Sequence, residues 1–89
     1  RGQVSRLTRV EFAKDYEGLK EAIARVDFVE KVKAIEVPGA QGPVFEVESG
    51  KSHDIRAKLF ELAVARSWTL VELHSETQSL EDVFRTLTK

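Results

Sequence analysis

The feature that most constrains the fold is a change of hydrophobic period that repeats along the chain. Residues 7–12 alternate between two sides, which is the period of a β-strand. Apolar residues in the next segment recur at spacings of three and four, which is the period of a helix. These residues are Leu19, Ala22, Ile23 and Val26. Because strand and helix periods follow one another, we expect a sheet with helices packed against it.

The remainder of the chain extends this pattern. Asp15 is placed to cap the first helix, which should end near Asp27, and residues 29–37 and 44–48 read as two strands joined by a turn-rich loop. Ser52 is placed to cap a second helix that runs to about Arg66. A fourth strand at 68–74, a polar linker at 75–78 and a short helix at 79–88 complete the prediction.

This order predicts an α+β fold, a ferredoxin-like βαββαβ sandwich with an additional short C-terminal helix. We expect residues 1–89 to form one domain, with residues 1–6 as a linker or domain edge, residues 7–74 as the ferredoxin-like core and residues 79–88 as the terminal helix. Right-handed crossovers would place both long helices on one face of the sheet.

Composition excludes several classes of function. The 15 acidic and 14 basic residues nearly cancel and are interspersed, so no basic surface for nucleic acid is predicted. The chain has no cysteine, which removes disulfides and thiolate metal sites. No apolar run is long enough to span a bilayer, so we expect no direct membrane insertion. Because the first residue is Arg1, we expect a piece of a longer cytoplasmic protein.

The sheet face opposite the helices is predicted to be unusually apolar. By alternation it would carry a set of large apolar residues among charged ones, namely Leu7, Ile35, Val37, Val44, Trp68 and Leu70. A face of this kind is normally covered, so we expect an interface there that includes Leu7, Ile35, Val44 and Leu70. The terminal helix has its own apolar stripe, formed by Leu80, Val83, Phe84 and Leu87. Its docking site could be its own sheet, another domain or a second protomer.

The last quarter of the chain resembles the C-terminus of ABC-transporter ATP-binding subunits of the drug-export and gliding-motility type. The resemblance covers residues 70–88 and centres on Ser79-Leu80-Glu81-Asp82-Val83-Phe84. It implies a non-catalytic accessory domain at the periphery of the inner membrane. The implied partners are the ATPase domain of the parent chain and the transporter membrane subunit, with a homodimer as a further option. ATP and Mg²⁺ would be cofactors of the parent ATPase domain only.

The residues do not predict catalysis in this chain. Gly50-Lys51-Ser52 looks like the end of a phosphate-binding loop, but Phe45 occupies the position of the first required glycine, and a turn with a helix cap explains the tripeptide. His53 and His74 are isolated in sequence, so no metal site is predicted. We therefore expect no catalytic, cofactor or metal residues.

The alternatives to an accessory domain are a small-molecule sensor and an RNA-binding domain. A ferredoxin-like small-molecule sensor would favour a glycine in the first strand-to-helix loop, where this chain has Ala13-Lys14-Asp15. RNA binding on the open sheet face would need aromatic residues on the two central strands, and the alternation predicts none on that face of those strands.

Overall fold

The computed structural model describes residues 4–50 and 52–79 as a small α+β domain with a four-stranded antiparallel sheet and two helices. The element order is β1 (Val4–Phe12), α1 (Leu19–Ala24), β2 (Val29–Ile35), β3 (Val44–Gly50), α2 (Arg56–Arg66) and β4 (Leu70–Ser79). Most of the predicted terminal helix lies outside the described residues, including its apolar stripe of Leu80, Val83, Phe84 and Leu87.

The strands lie in the order β2-β3-β1-β4, and each neighbouring pair is antiparallel. It follows that β1 and β2 run parallel with β3 between them, and that β3 and β4 run parallel with β1 between them. The two strand-helix-strand units are thus interleaved in one sheet.

Both helices pack on the same face of the sheet. Buried residues of α1 and α2 belong to a single core cluster with inward residues of β1 and β3. The cluster is composed of Val10, Phe12, Leu19, Ile23, Phe45, Val47, Ile55, Leu59 and Ala63. The alternation predicted for β1 is confirmed, because Thr8, Val10 and Phe12 are buried on this side.

Aromatic packing closes one end of the core. The Phe12 ring meets Phe45 and Trp68 edge to face, with centroid separations of 6.3 and 5.9 Å. Tyr16 stacks on Trp68 at 6.0 Å, and its hydroxyl accepts a hydrogen bond from the Thr69 N–H. These contacts join the β1–α1 loop to the start of β4.

The predicted helix caps were wrong. Helix α1 begins at Leu19 after Gly18, which has φ +78° and gives no side-chain cap, so Asp15 does not cap it. It also ends at Ala24, short of Asp27. Helix α2 begins after Ile55 rather than at Ser52, and the Asp54 carboxylate accepts the Arg56 N–H at 3.1 Å. A left-handed glycine and an aspartate turn therefore replace the expected caps.

The predicted polar linker at 75–78 was also wrong, because these residues extend β4 to Ser79. They pair with residues 5–8 of β1, and Val4 pairs with Ser79. Residues 4–6, expected as a linker, therefore belong to the sheet. Polar residues can form this ladder because pairing satisfies backbone groups whatever the side chains are.

We predict that Gly42→Ala destabilises the fold more than Gly39→Ala. A Cβ at Gly42 would overlap the backbone carbonyl oxygen of Phe12, so backbone would have to move. Overpacking of this kind costs about 1–3 kcal/mol. Gly39 has φ +82° and open space around its Cβ position, so its alanine variant measures backbone strain alone. Urea unfolding of both variants checks the prediction, and equal losses would contradict it.

Candidate functional site: the helix-free face of the sheet

The sheet face opposite α1 and α2, here called the helix-free face, includes three adjacent rows of cross-strand neighbours. The strand registers place Lys33, Glu46, Arg9 and His74 in the central row. One flanking row holds Lys31, Glu48 and Leu7, and the other holds Ile35, Val44, Glu11 and Glu72. Within the described residues, neither helix packs on this face.

The central row alternates in charge across the strands. Lys33 and Arg9 lie on either side of Glu46, and the Arg9 Nη2 atom is 3.9 Å from the Glu46 Oε2 atom. Both side chains are partly exposed, at 45% and 31%, so this ion pair contributes little to stability. The pattern instead offers charges of both signs to a partner.

Leu7 is an apolar residue of the flanking row that also holds Lys31 and Glu48. It is half-buried and, with Ser5, Lys31, Lys33, Glu46 and Glu48, lines a shallow depression of about 240 Å³. The predicted placement of Leu7 on the helix-free face is correct. An apolar residue ringed by charges is a common arrangement at protein interfaces.

The other end of the face is closed by the chain itself. Val44 is only 3% exposed, so this predicted interface residue is not available to a partner in this conformation. The loop between β2 and β3 turns over this end, where the Gln41 N–H donates to the Glu11 Oε2 atom at 2.6 Å. Ile35 is half-buried beside Val44 and lines a concavity of about 740 Å³ with Val37 and Pro38.

The predicted placement of Leu70 and Trp68 on this face was wrong. A register shift pairs Phe12 with Leu70 but Val10 with Leu73, so one extra residue of β4 interrupts the alternation. Leu70 and Trp68 consequently pack against the core cluster on the helix side. The helix-free face is therefore more polar than the sequence pattern indicated.

Downstream of Gly50 and Ser52, the start of α2 already holds a carboxylate. Asp54 accepts hydrogen bonds from the backbone N–H of Arg56 and from its guanidinium, with the Arg56 Nη2 to Oδ2 distance at 2.6 Å. These hydrogen bonds lower the pKa of Asp54 below its ordinary value. Any resulting stabilisation is present above about pH 4 and is lost as the pH falls further. The carboxylate occupies the position that an external anion would need.

The two histidines lie apart. The His53 ring stacks on Phe28 with a centroid distance of 4.0 Å and an interplanar angle of 4°, whereas His74 lies in β4 on the helix-free face. Phe28 has φ +75°, a strained backbone for a bulky residue, and this stack holds its loop against the β3–α2 loop. Among the described residues, no group of three His, Cys, Asp or Glu side chains could hold a metal ion.

The sequence reasoning missed an apolar flank on α2. Phe60 and Val64 are 56% and 63% exposed, and Phe60 lines a groove with Ala57, Arg56 and the β4 residue Leu73. The available signal was the second apolar stripe of this helix, because Ala57, Phe60 and Val64 recur at spacings of three and four beside the buried stripe.

Comparisons with known proteins identify no relative. No family model matches the chain, and no match is found among curated proteins or solved structures. None of the helices in the described part of the chain is long and apolar enough to cross a membrane.

We predict that Glu11→Ala loosens the β2–β3 loop and lowers the free energy of unfolding by about 1 kcal/mol, because the Gln41 N–H loses a charged acceptor. Glu36→Ala is the control, since Glu36 is an exposed carboxylate at the start of the same β2–β3 loop. Chemical denaturation and amide exchange of Gln41 provide the readout. Unchanged exchange at Gln41 in Glu11→Ala would contradict the role given to this contact.

Proposed function

We propose that this chain is a non-catalytic accessory domain of an ABC-transporter ATP-binding protein that packs on the ATPase domain or mediates subunit association. The resemblance of residues 70–88 to the C-terminus of such subunits motivates the family. The observation that carries the function is the helix-free face, where Leu7 lies among charges of both signs with no described helix over it.

We further propose that the domain is a ferredoxin-like sandwich. The strand order β2-β3-β1-β4, with antiparallel neighbours and interleaved strand-helix-strand units, supports this assignment. In this arrangement the helices cover one face and leave the other for a partner domain.

The chemistry of the helix-free face favours a protein partner over nucleic acid. Its basic residues, Lys31, Lys33 and Arg9, are interleaved with Glu46 and Glu48, so the face has no continuous positive stripe for phosphates. No aromatic residue lies in the three rows for base stacking. Mixed charges around an apolar residue suit a folded surface of complementary charge.

The proposed role is structural and regulatory. A domain attached to an ATPase can bias the dimerisation of that ATPase only if it contacts the two states of the ATPase differently. We place that contact on the helix-free face, with ATP and Mg²⁺ bound by the parent ATPase domain. The parent would act at the inner membrane through its transporter membrane subunit.

The proposal predicts that Lys33→Glu and Leu7→Lys each weaken binding to the ATPase domain of the parent protein at least about tenfold, which corresponds to about 1.4 kcal/mol. Lys33→Glu reverses a charge in the central row, and Leu7→Lys introduces a charge at an apolar position of the flanking row. Titration calorimetry of the chain against the purified ATPase domain gives the affinities.

Lys20→Glu is the matched control, because Lys20 is exposed on α1, which packs on the other side of the sheet. It should bind like the wild type. Equal weakening by all three variants, or no binding of the wild type, would contradict packing through the helix-free face. Circular dichroism of each variant checks that its fold is retained.

A further inference from the structure

We propose that β4 is a dimerisation edge, along which a second copy of this chain pairs its own β4 antiparallel and continues the sheet. The surface consists of the outer edge of β4 with the adjacent flank of α2, and it adjoins the helix-free face, with which it shares Glu72 and His74. The role that we give the dimer, subunit association, rests on the proposed function. The dimer itself is inferred from the surface of this domain.

The two edge strands of the sheet differ in their protection. Strand β2 has seven residues, a register irregularity between Val29 and Lys31, and two exposed lysines, Lys31 and Lys33. Short length and exposed lysines discourage pairing with another chain, whereas a register irregularity occurs in both edge strands. Strand β4 has ten residues and includes no lysine, arginine or proline. Its residues 72–79 form an unbroken ladder with β1.

The outer edge of β4 is also the side on which α2 is apolar. Ala57, Phe60 and Leu73 line one groove, which places this flank of α2 against β4. Phe60 and Val64 are more than half exposed, although α2 buries its opposite stripe in the core. A solvent-facing apolar helix flank beside a strand edge that no described element pairs marks an association surface.

A second copy fits both features at once. Neighbouring strands are about 4.8 Å apart, so joining two sheets through β4 would bring the two α2 helices to either side of the two-fold axis. Phe60 lines the groove beside Leu73 of β4, and the apolar flanks of the two copies would therefore face each other across that axis. The groove of one copy would receive Phe60 of the other.

Charge selects the register of the pairing. Directly opposite residues of neighbouring strands point to the same face of a sheet. A two-fold axis perpendicular to the sheet therefore places one residue of β4 opposite the same residue of the second copy. With Leu73 on the axis, Glu72 of each copy is opposite His74 of the other, which brings a carboxylate beside an imidazole. With Glu72 on the axis, the two Glu72 carboxylates would instead be opposite each other. The Leu73 register also brings the two Leu73 residues together below the α2 groove.

The first test is the mass of the full chain by light scattering over a range of concentrations, for the wild type and Phe60→Lys. We expect a wild-type dimer whose dissociation constant rises about 30-fold or more in Phe60→Lys, as for a central aromatic residue of an interface. Phe28→Lys replaces a phenylalanine of similar exposure elsewhere on the domain, 51% against 56%, and should leave the dimer intact. Phe84→Glu tests whether the terminal segment forms the contact instead.

The second test uses the absence of cysteine from the chain to map the register. Directly opposite residues of antiparallel strands have Cα atoms about 4.5–5.5 Å apart, within the range that a disulfide bridges. Leu73→Cys should therefore form a covalent dimer on mild oxidation. In the same register two cysteines at position 75 would be about 14 Å apart, so Ser75→Cys should not cross-link. Lys33→Cys on the β2 edge should not cross-link either.

A monomeric wild type, or a dimer that Phe84→Glu dissociates and Phe60→Lys does not, would overturn the proposal. Cross-linking of Lys33→Cys but not of Leu73→Cys would overturn it as well, because the β2 edge would then be the interface. These outcomes are separate from the proposed function, since binding of the ATPase domain is disrupted by Lys33→Glu and Leu7→Lys on another surface. Retained ATPase binding by Phe60→Lys would show that the two surfaces act independently.

Discussion

The pairing of β1 on both of its sides is the constraint on which the rest of the structure depends. Strand β1 lies between β3 and β4, so both of its edges carry backbone hydrogen bonds. Its residues Thr8, Val10 and Phe12 face the helices and are buried, and their neighbours Leu7, Arg9 and Glu11 lie on the other face. A shift of this strand by one residue would exchange the core with the helix-free face.

The sequence predicted the layers of this fold better than its edges. Element order, the hairpin between β2 and β3 and the alternation in β1 all follow from hydrophobic period, which reports burial directly. The failures have local causes. Because β4 has one extra residue, Leu70 and Trp68 lie on the core side of the sheet, and hydrophobic periodicity does not predict a bulge. The polar end of β4 was mistaken for a linker because its strand character comes from pairing with β1.

The candidate site was predictable only in part for the same reason. Alternation placed Leu7, Ile35 and Val44 correctly on the helix-free face. It could not show that the β2–β3 loop closes over Val44, since that depends on the long-range contact between Gln41 and Glu11. The α2 flank was missed because Phe60 and Val64 lie beside a stronger stripe that fills the core. Whether a second stripe is exposed depends on which elements lie next to the helix.

We assign association, rather than chemistry, to the surfaces that the described elements leave uncovered. The most direct test of association through β4 is amide hydrogen exchange of the isolated chain at about 1 µM and about 1 mM, because dimer formation depends on concentration and protects only the amides it pairs. We expect slower exchange at the higher concentration for outward amides in residues 70–76 of β4, with no change in residues 29–35 of β2. Identical exchange of β4 at both concentrations would contradict it.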